Sequence, residues 1–497
     1  RGKSNFLNER TMKKILTFSI LSAVAFNLTA CKDDFLNTSP TEVVSTAPAD
    51  VRLNGLYLMT YQSGTGGTTL HNDFGQKNID ICTDMLCGDM ALLATNYGQY
   101  QDVANLKATQ QSSNNYNYIP WRYYYRLIYE ANKSIAELAS PKNNSEKYTL
   151  AQFRAMRGYA YFYLMQIFTT KYEPDSRTNS IPLYTTADIT SKPRVKQSEV
   201  YAQIISDLEF AVTNLAGFTR SKKGMIDKYV AEGLLAYTYA AMGNNEKVAE
   251  LAQDIVNNSG YPLTTREQTV YDETTKKGGG FNDVETKSWM WGVDLIKENG
   301  FDLKSWWGMM DVYTYSYAWA GDAKAMDDKL YAQIRTNDLR KKQFTTVDDA
   351  ELLPANKFFA PDRVIGGQRD VTTDYVYMRV DEFYLLAAEA LAKLGQDAQA
   401  KTIYKRLLTQ RYPEATATTD IAYVDALTNA QLQDDIYLNT RIELWGEGKS
   451  YFAMKRNHKT IERGSNHVEE KNTTFSYDNP RLTFAIPQNE SINNLNL

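Results

Sequence analysis

Cysteine and histidine are scarce. The 497 residues contain three of each. So few of the commonest soft ligands argues against a structural zinc site, and three cysteines cannot build a disulfide framework. Cys82 and Cys87 lie on different faces if their segment is helical, so a bridge between them requires a turn and stays open at this stage. His71, His458 and His467 sit in no metal or nucleophile motif. Gly-x-Ser-x-Gly, His-Glu-x-x-His and Walker loops are missing as well. Neither a cofactor nor a resident metal is expected. Basic charge is also short, with 55 Lys and Arg against 59 Asp and Glu. A nucleic-acid partner needs a basic face to neutralise phosphates, so no such partner is expected. Long apolar runs are lacking too: past residue 30 no segment approaches the roughly 20 apolar residues of a membrane-spanning helix. Tyrosine, by contrast, is plentiful, at 35 residues.

The N-terminus carries the first chemistry. Met12-Lys13-Lys14 opens a basic stretch, an apolar run follows from Ile15 to Leu28, and Leu28-Thr29-Ala30-Cys31 closes it. A basic head, an apolar middle and small residues before the cut form a secretory signal. Leu28 to Cys31 resembles the lipobox of bacterial lipoproteins at every position, which implies lipidation of Cys31 and membrane attachment through a lipid anchor. Residues 1–30 are therefore expected to be an upstream extension and a removed signal peptide. They hold five of the 55 basic and one of the 59 acidic residues, so the remainder has 50 against 58, a net charge of −8.

The remainder, 31–497, reads as a single, mainly α domain. Phe153, Met156, Ala160, Leu164 and Ile167 recur at helical spacing and predict an amphipathic stripe. Val380, Phe383, Ala387, Ala390 and Leu394 do the same, and Gly395 supplies the stop. Two segments look alike. Leu235-Ala236, Tyr239-Ala240, Met242-Gly243, Val248 and Leu251 match Ala387-Ala388, Leu391-Ala392, Leu394-Gly395, Ala400 and Ile403. Each reads as helix, Gly turn and helix, which resembles the tetratricopeptide unit. Their separation in the chain argues against their being neighbours in a simple array. Further pairs are expected from Trp121–Ser140 with Ala151–Phe168, and from Glu199–Leu215 with Met225–Met242. Two stretches break the pattern, at about 64–117 and 264–375. Both are irregular and rich in aromatics, and both read as insertions in a rigid scaffold, where binding function commonly resides.

These residues, taken in order, resemble the SusD/RagB family of Bacteroidetes outer-membrane nutrient-binding lipoproteins. Cys31-Lys-Asp-Asp-Phe-Leu36 with Pro40 looks like the family start. Arg154-Ala-Met-Arg157 with Tyr161-Phe162 and Leu164 fits a family helix, and Arg194, Glu199-Val-Tyr201, Ile204, Asp207-Leu208 and Ala211 fit the family segment that follows. Arg441-Ile-Glu443-Leu444, Glu447-Gly448, Arg456 and Phe484-Ala-Ile486-Pro487 fit near the C-terminus. Asn439-Thr440 and Ala453 depart from the pattern, where Glu-Arg and Asp are usual. The resemblance implies a SusD-like scaffold at the cell surface of the outer membrane. It also implies binding of an oligosaccharide or polysaccharide, and delivery to a TonB-dependent, SusC-like transporter. A non-glycan nutrient such as a peptide is the alternative ligand, and a surface glycosidase the remaining one.

Arg154, Arg157, Arg441 and Arg456 could bind an anion, but in a helical scaffold they are expected to pair with carboxylates such as Glu443 and Glu447. Asp84 with Asp89, or Asp327 with Asp328, could be offered as a glycosidase pair, yet solvated charge explains them equally, and no catalytic residue is assigned. Binding has the better case, because aromatic rings stack on the C–H faces of sugars while polar side chains bond the hydroxyls. Trp306, Trp307, Tyr313, Tyr315, Tyr317 and Trp319 supply rings at high density, with the three tyrosines alternating as on one face of an extended segment. Tyr97 and Tyr100, with Asn96 and Gln99 as polar partners, complete the expected arc. Trp289 and Trp291 read instead as a buried strand.

Overall fold

The computed structural model describes residues 47–497. The chain divides into a leading unit, 1–51, and a body, 52–497. Cys31 and the signal-like segment lie outside the described residues. Helices of seven residues or more run in the order α1 (Ala49–Met59), α2 (Gln76–Leu86), α3 (Asn115–Glu137), α4 (Asn144–Phe168), α5 (Gln197–Asn214), α6 (Lys228–Ala241), α7 (Asn245–Asn258), α8 (Asp381–Lys393), α9 (Asp397–Thr409), α10 (Asn429–Glu443) and α11 (Ser450–Arg456).

Local chemistry starts these helices where the polar residues stand. The side chains of Asn114, Asn143, Asp227 and Asn244 each accept a bond from a first-turn backbone N–H of α3, α4, α6 and α7. Thr428 and Gln431 cap α10 reciprocally, which satisfies two donors that a helix start otherwise leaves unpaired. Gly243 and Gly395, both at positive φ, turn the chain between the paired helices α6–α7 and α8–α9.

From α4 to α9 each helix packs on the one before it, and α10 adds to α8. The expected pairs α3–α4 and α5–α6 are present. The two look-alike units are neighbours after all, because α7 packs against α8 across the long excursion that separates them in sequence. One array is thus continuous in space while its chain is interrupted. The stripe predicted on α4 is also too narrow. From Thr149 to Phe168 every residue but Arg154 is buried, so this helix lies inside the fold and is covered on all sides.

Strands are short. Among the described residues they form four two-stranded antiparallel sheets. β2 (Trp289–Val293) pairs with β6 (Tyr375–Arg379) and ties together the start and the end of the long excursion. Trp289 and Trp291 are buried there. β1 (Met90–Leu92) pairs with β3 (Lys324–Met326), with Ala91 opposite Ala325, so the 64–117 segment is stitched to the 264–375 segment. β4 (Thr345–Val347) and β5 (Ala350–Leu353) make a hairpin beside β3. β7 (Ile461–Glu462) pairs with β8 (Thr474–Phe475).

Buried charge locks the array to the excursion. Glu443 accepts from Arg340, Arg379 and Arg411, Glu447 from Lys357 and Arg379, and Asp381 from Arg379 and Arg411. Asp338 adds a bond to Arg340. Four cations meet four carboxylates, so the cluster is neutral. Burial alone pushes the Glu443 carboxyl up, but the three guanidiniums overcome this and hold it well below the carboxylate range. Asn439, at a position that departs from the family pattern, accepts from Arg340 at 2.6 Å.

The motif arginines do pair with carboxylates, though not with Glu443 and Glu447. Arg154 and Arg157 clasp Asp207 at 2.8 and 2.7 Å, Arg441 binds Asp89 at 2.7 Å, and Arg456 binds Glu389 at 2.7 Å. Cys82 and Cys87 are both free and buried.

Candidate functional site

The two excursions meet around a small core of their own: Val312, Tyr313, Ala318, Ala323, Ala325, Leu353, Phe359 and Ala360. Above it, Ser316 starts a one-turn helix, Tyr317–Ala320. Its Oγ accepts from the Trp319 N–H at 2.9 Å and donates to the Asp311 carbonyl at 2.6 Å. That turn is why Tyr313, Tyr315 and Tyr317 do not alternate along an extended segment as expected. The Asp311 carboxylate bends the chain just before it, accepting from Tyr313 N–H, Thr314 Oγ1 and Ala360 N–H at 3.1, 2.7 and 3.0 Å. Burial pushes that carboxyl up to about 6 against the pull of these bonds.

Asp322, fully buried, holds the facing loop. Its carboxylate accepts from the backbone N–H groups of Tyr97 and Gln99, each at 3.0 Å. The Tyr97 ring, 60% exposed, then stands edge-on to Tyr317 with centroids 5.6 Å apart. Tyr317 bonds His71 Nδ1 through its hydroxyl at 2.7 Å. On the other side Trp319, 38% exposed, leans on Tyr315, 36% exposed, at 5.4 Å. The guanidinium of Arg369 covers Tyr315 at 4.0 Å. Gly366, at φ 62°, passes so close beneath Trp319 that a Cβ would lie 2.7 Å from the indole. Its lack of a side chain is what lets the ring lie flat there.

Beside Trp319 opens a cavity of about 370 Å³, lined by Leu93, Val312, Ile365, Asp348, Asp349 and Glu351. An indole wall, an apolar back and three carboxylates on one side can take a ligand that carries both C–H faces and hydroxyl or amine donors.

The structure therefore brings together Tyr97, Tyr315, Tyr317 and Trp319, with Asn96 exposed and Gln99 partly so. It removes four expected members. Trp306 and Trp307 are 2% and 1% exposed, packed edge to face on each other at 4.9 Å and on Phe358. Tyr100 is fully buried with its hydroxyl on Asn78 Oδ1 at 2.8 Å. Tyr313 is 7% exposed and accepts from Arg363 at 2.9 Å. These four are core.

Sequence reasoning missed His71, Asp322 and Arg369. One signal was available for His71, a rare residue in a Gly- and Thr-rich loop. Lys324 was missed too. It is buried below the arc, donates to the carbonyls of Met309 and Asp322 at 3.0 Å each, and burial pushes its ammonium down to about 7.

The carboxylate pairs considered for hydrolysis are engaged elsewhere. Asp89 binds Arg441, while Asp84 is sealed in the interior and pushed well up by burial and by the nearby Asp89 charge. Asp327 caps a short helix and bonds His467 at 2.9 Å, and Asp328 accepts from Ser465. Among the described residues no group of three or more His, Cys, Asp or Glu is placed to hold a metal ion, and no helix is long and apolar enough to cross a membrane.

A tetratricopeptide-like helical array carrying an aromatic cleft on two interlocked excursions defines the class. The SusD family profile matches residues 231–494, and a second profile, described as starch-binding associating with outer membrane, matches 60–239. The chain belongs to the SusD family. It is similar to the SusD-like protein P2 of Formosa agariphila, 23% identical over 488 residues, covering 90% of this chain and 91% of that one. A solved SusD-like carbohydrate binding protein from Bacteroides vulgatus shares the fold at a TM-score of 0.73 and 22% identity, covering 90% of this chain and 96% of that one. A SusD superfamily protein from Bacteroides thetaiotaomicron does so at 0.74 and 21%, covering 90% and 98%.

Proposed function

We infer that this chain is a cell-surface, lipid-anchored glycan-binding protein of the outer membrane that passes oligosaccharide to a TonB-dependent, SusC-like transporter, and that it catalyses no reaction. The observation that carries the binding reading is the row of exposed and half-buried rings, Tyr97–Tyr317 and Tyr315–Trp319, bordered by Asn96, Gln99, His71 and Arg369 beside a cavity of about 370 Å³. Rings of this kind cover the apolar face of a pyranose, and the polar border reads its hydroxyls. Support for the transporter and the anchor comes from membership of the SusD family and from the Leu28–Cys31 lipobox.

The test is a glycan array followed by titration of the best oligosaccharide. Trp319→Ala and Tyr97→Ala should each weaken binding tenfold or more, as loss of an anchoring ring costs about 2 kcal/mol. Their melting temperatures should stay at the wild-type value. A silent array together with binding to a peptide mixture overturns the glycan reading, and release of reducing ends from a polysaccharide overturns the non-catalytic one.

A further inference from the structure

A second recess lies away from the arc. Its floor is one face of α3, where Tyr118, Trp121, Tyr125 and Tyr129 recur at helical spacing. One wall is the 184–190 segment with Tyr184, and the other is the short helix Gln488–Asn493. The volume is about 390 Å³, close to that beside Trp319. Three segments remote in sequence are tied together to make it. Asn132 donates to the carbonyls of Tyr184 and Thr186 at 3.1 and 2.9 Å. Trp121 Nε1 donates to Glu490 at 3.2 Å, and Asn494 donates to the Lys192 carbonyl at 2.8 Å. The groove is therefore preformed, which lowers the ordering cost of a ligand.

Its chemistry repeats that of the arc. Rings line the floor, and an amide, Asn489, and a carboxylate, Asp188, stand at the border. Arg122 is exposed there, and no hydrogen bond or ion pair ties its guanidinium to another described residue. The two places are also joined along the surface. The loop that carries His71 to Tyr317 is folded on Asp73, which accepts from Gly66 and Thr68. The same loop touches α3, because Arg126 donates to the Thr65 carbonyl at 2.9 Å and Arg122 packs on Gly67. His71 is four residue steps beyond Gly67, a span of at most about 14 Å.

We propose that this groove is a second saccharide subsite, and that a sufficiently long glycan chain runs from the arc across the 64–73 loop into it. The assignment of ligand class rests on the glycan reading above. Two weak subsites on one chain act as a bivalent receptor, so affinity grows with ligand length once both are reached.

The experiment uses the full chain and a length series of oligosaccharides prepared from the polysaccharide that binds in the array. Wild type should gain tenfold or more in affinity beyond a threshold length. Arg122→Ala and Tyr129→Ala, both at exposed positions, should remove that gain while short oligosaccharides bind as to wild type and melting is unchanged. Trp319→Ala should weaken the short ligands. Three results overturn the proposal. One is a flat length series with normal short-chain binding, which leaves the arc reading standing. The second is a length gain that both groove variants retain. The third is loss of transporter co-purification in the groove variants with an intact length series, which makes the groove a protein contact. If no saccharide of any length binds wild type, both readings fall together.

Discussion

Replacing Glu443 by glutamine removes one charge from the buried cluster and keeps the volume. The wild-type carboxylate receives four bonds: Arg340 Nη1 at 3.0 Å, and Arg379 Nη1, Arg411 Nε and Arg411 Nη2 at 2.8 Å each. Glutamine keeps one oxygen. Its amide nitrogen then faces donors, whichever way it is turned. Four cations remain against three carboxylates, all with little access to water. Breaking a buried pair in this way costs about 3–5 kcal/mol, because the unpaired charge stays desolvated. For a body of roughly 450 residues, an unfolding entropy of about 2.1 cal/mol/K per residue gives roughly 0.9 kcal/mol/K. The expected fall in melting temperature is therefore about 3–6 °C. Differential scanning calorimetry at neutral pH measures it. Glu250→Gln is the control, since its pair with Lys247 is exposed and solvent screening leaves such a pair with little effect on stability. A Glu443→Gln melt indistinguishable from that of Glu250→Gln would refute the claim that this cluster holds the array to the excursion.

Trp306→Ala should destabilise by about 3–5 kcal/mol, as loss of a fully packed indole does, and leave affinity per folded molecule unchanged; a titration corrected for the folded fraction checks both. Glu232 titrates in the opposite sense to Glu443. Burial first, then its hydrogen bond to Asp254, pushes it up to about 8. The folded state thus holds a proton that the unfolded chain releases near 4.5, so stability is full below that value and declines as pH rises toward 8. Glu232→Gln should therefore raise the melting temperature more at pH 8 than at pH 5, and equal shifts at both would count against the assignment. Cys31→Ala should release the protein from membranes and abolish labelling by a palmitate analogue, because anchoring by acyl chains scales at about 0.8 kcal/mol per buried CH₂; a variant that still fractionates with membranes and still labels sinks the lipobox reading.

The helix pairs were legible because glycine turns and capping residues are local signals. Gly243, Gly395, Asn143 and Asn244 act within a few residues of themselves. The packing of α7 on α8 was not legible, since no local pattern reports what closes over a long excursion. The same distinction explains the tryptophans. Ser305 and Gly308, beside Trp306 and Trp307, are residue types common at the surface. Ser305 is in fact a helix cap that accepts from the Gly308 N–H at 3.0 Å, and Gly308 is pressed against the Leu303 backbone, where a Cβ would lie 2.4 Å from the carbonyl oxygen. Small and polar residues there mark a tight turn in the interior. Around Trp319 similar neighbours, Gly321 and Asp322, stand where the ring is partly exposed. Asp322 itself points inward to hold the Tyr97 loop. Composition alone does not separate these two cases.

The pairing of Ala91 with Ala325 has a temporal consequence. During synthesis the strand that carries the first half of the arc emerges long before its partner. Residues 115–258 can meanwhile condense helix upon helix through near-neighbour contacts, which form fast. The arc cannot close until the chain beyond Met326 has arrived. α2, buried along its whole length, also packs on α11 from near the C-terminus. On the glycan-binding reading proposed above, ligand capture therefore waits for the chain beyond Met326. An incomplete or prematurely terminated copy could show native-like helicity and still hold nothing.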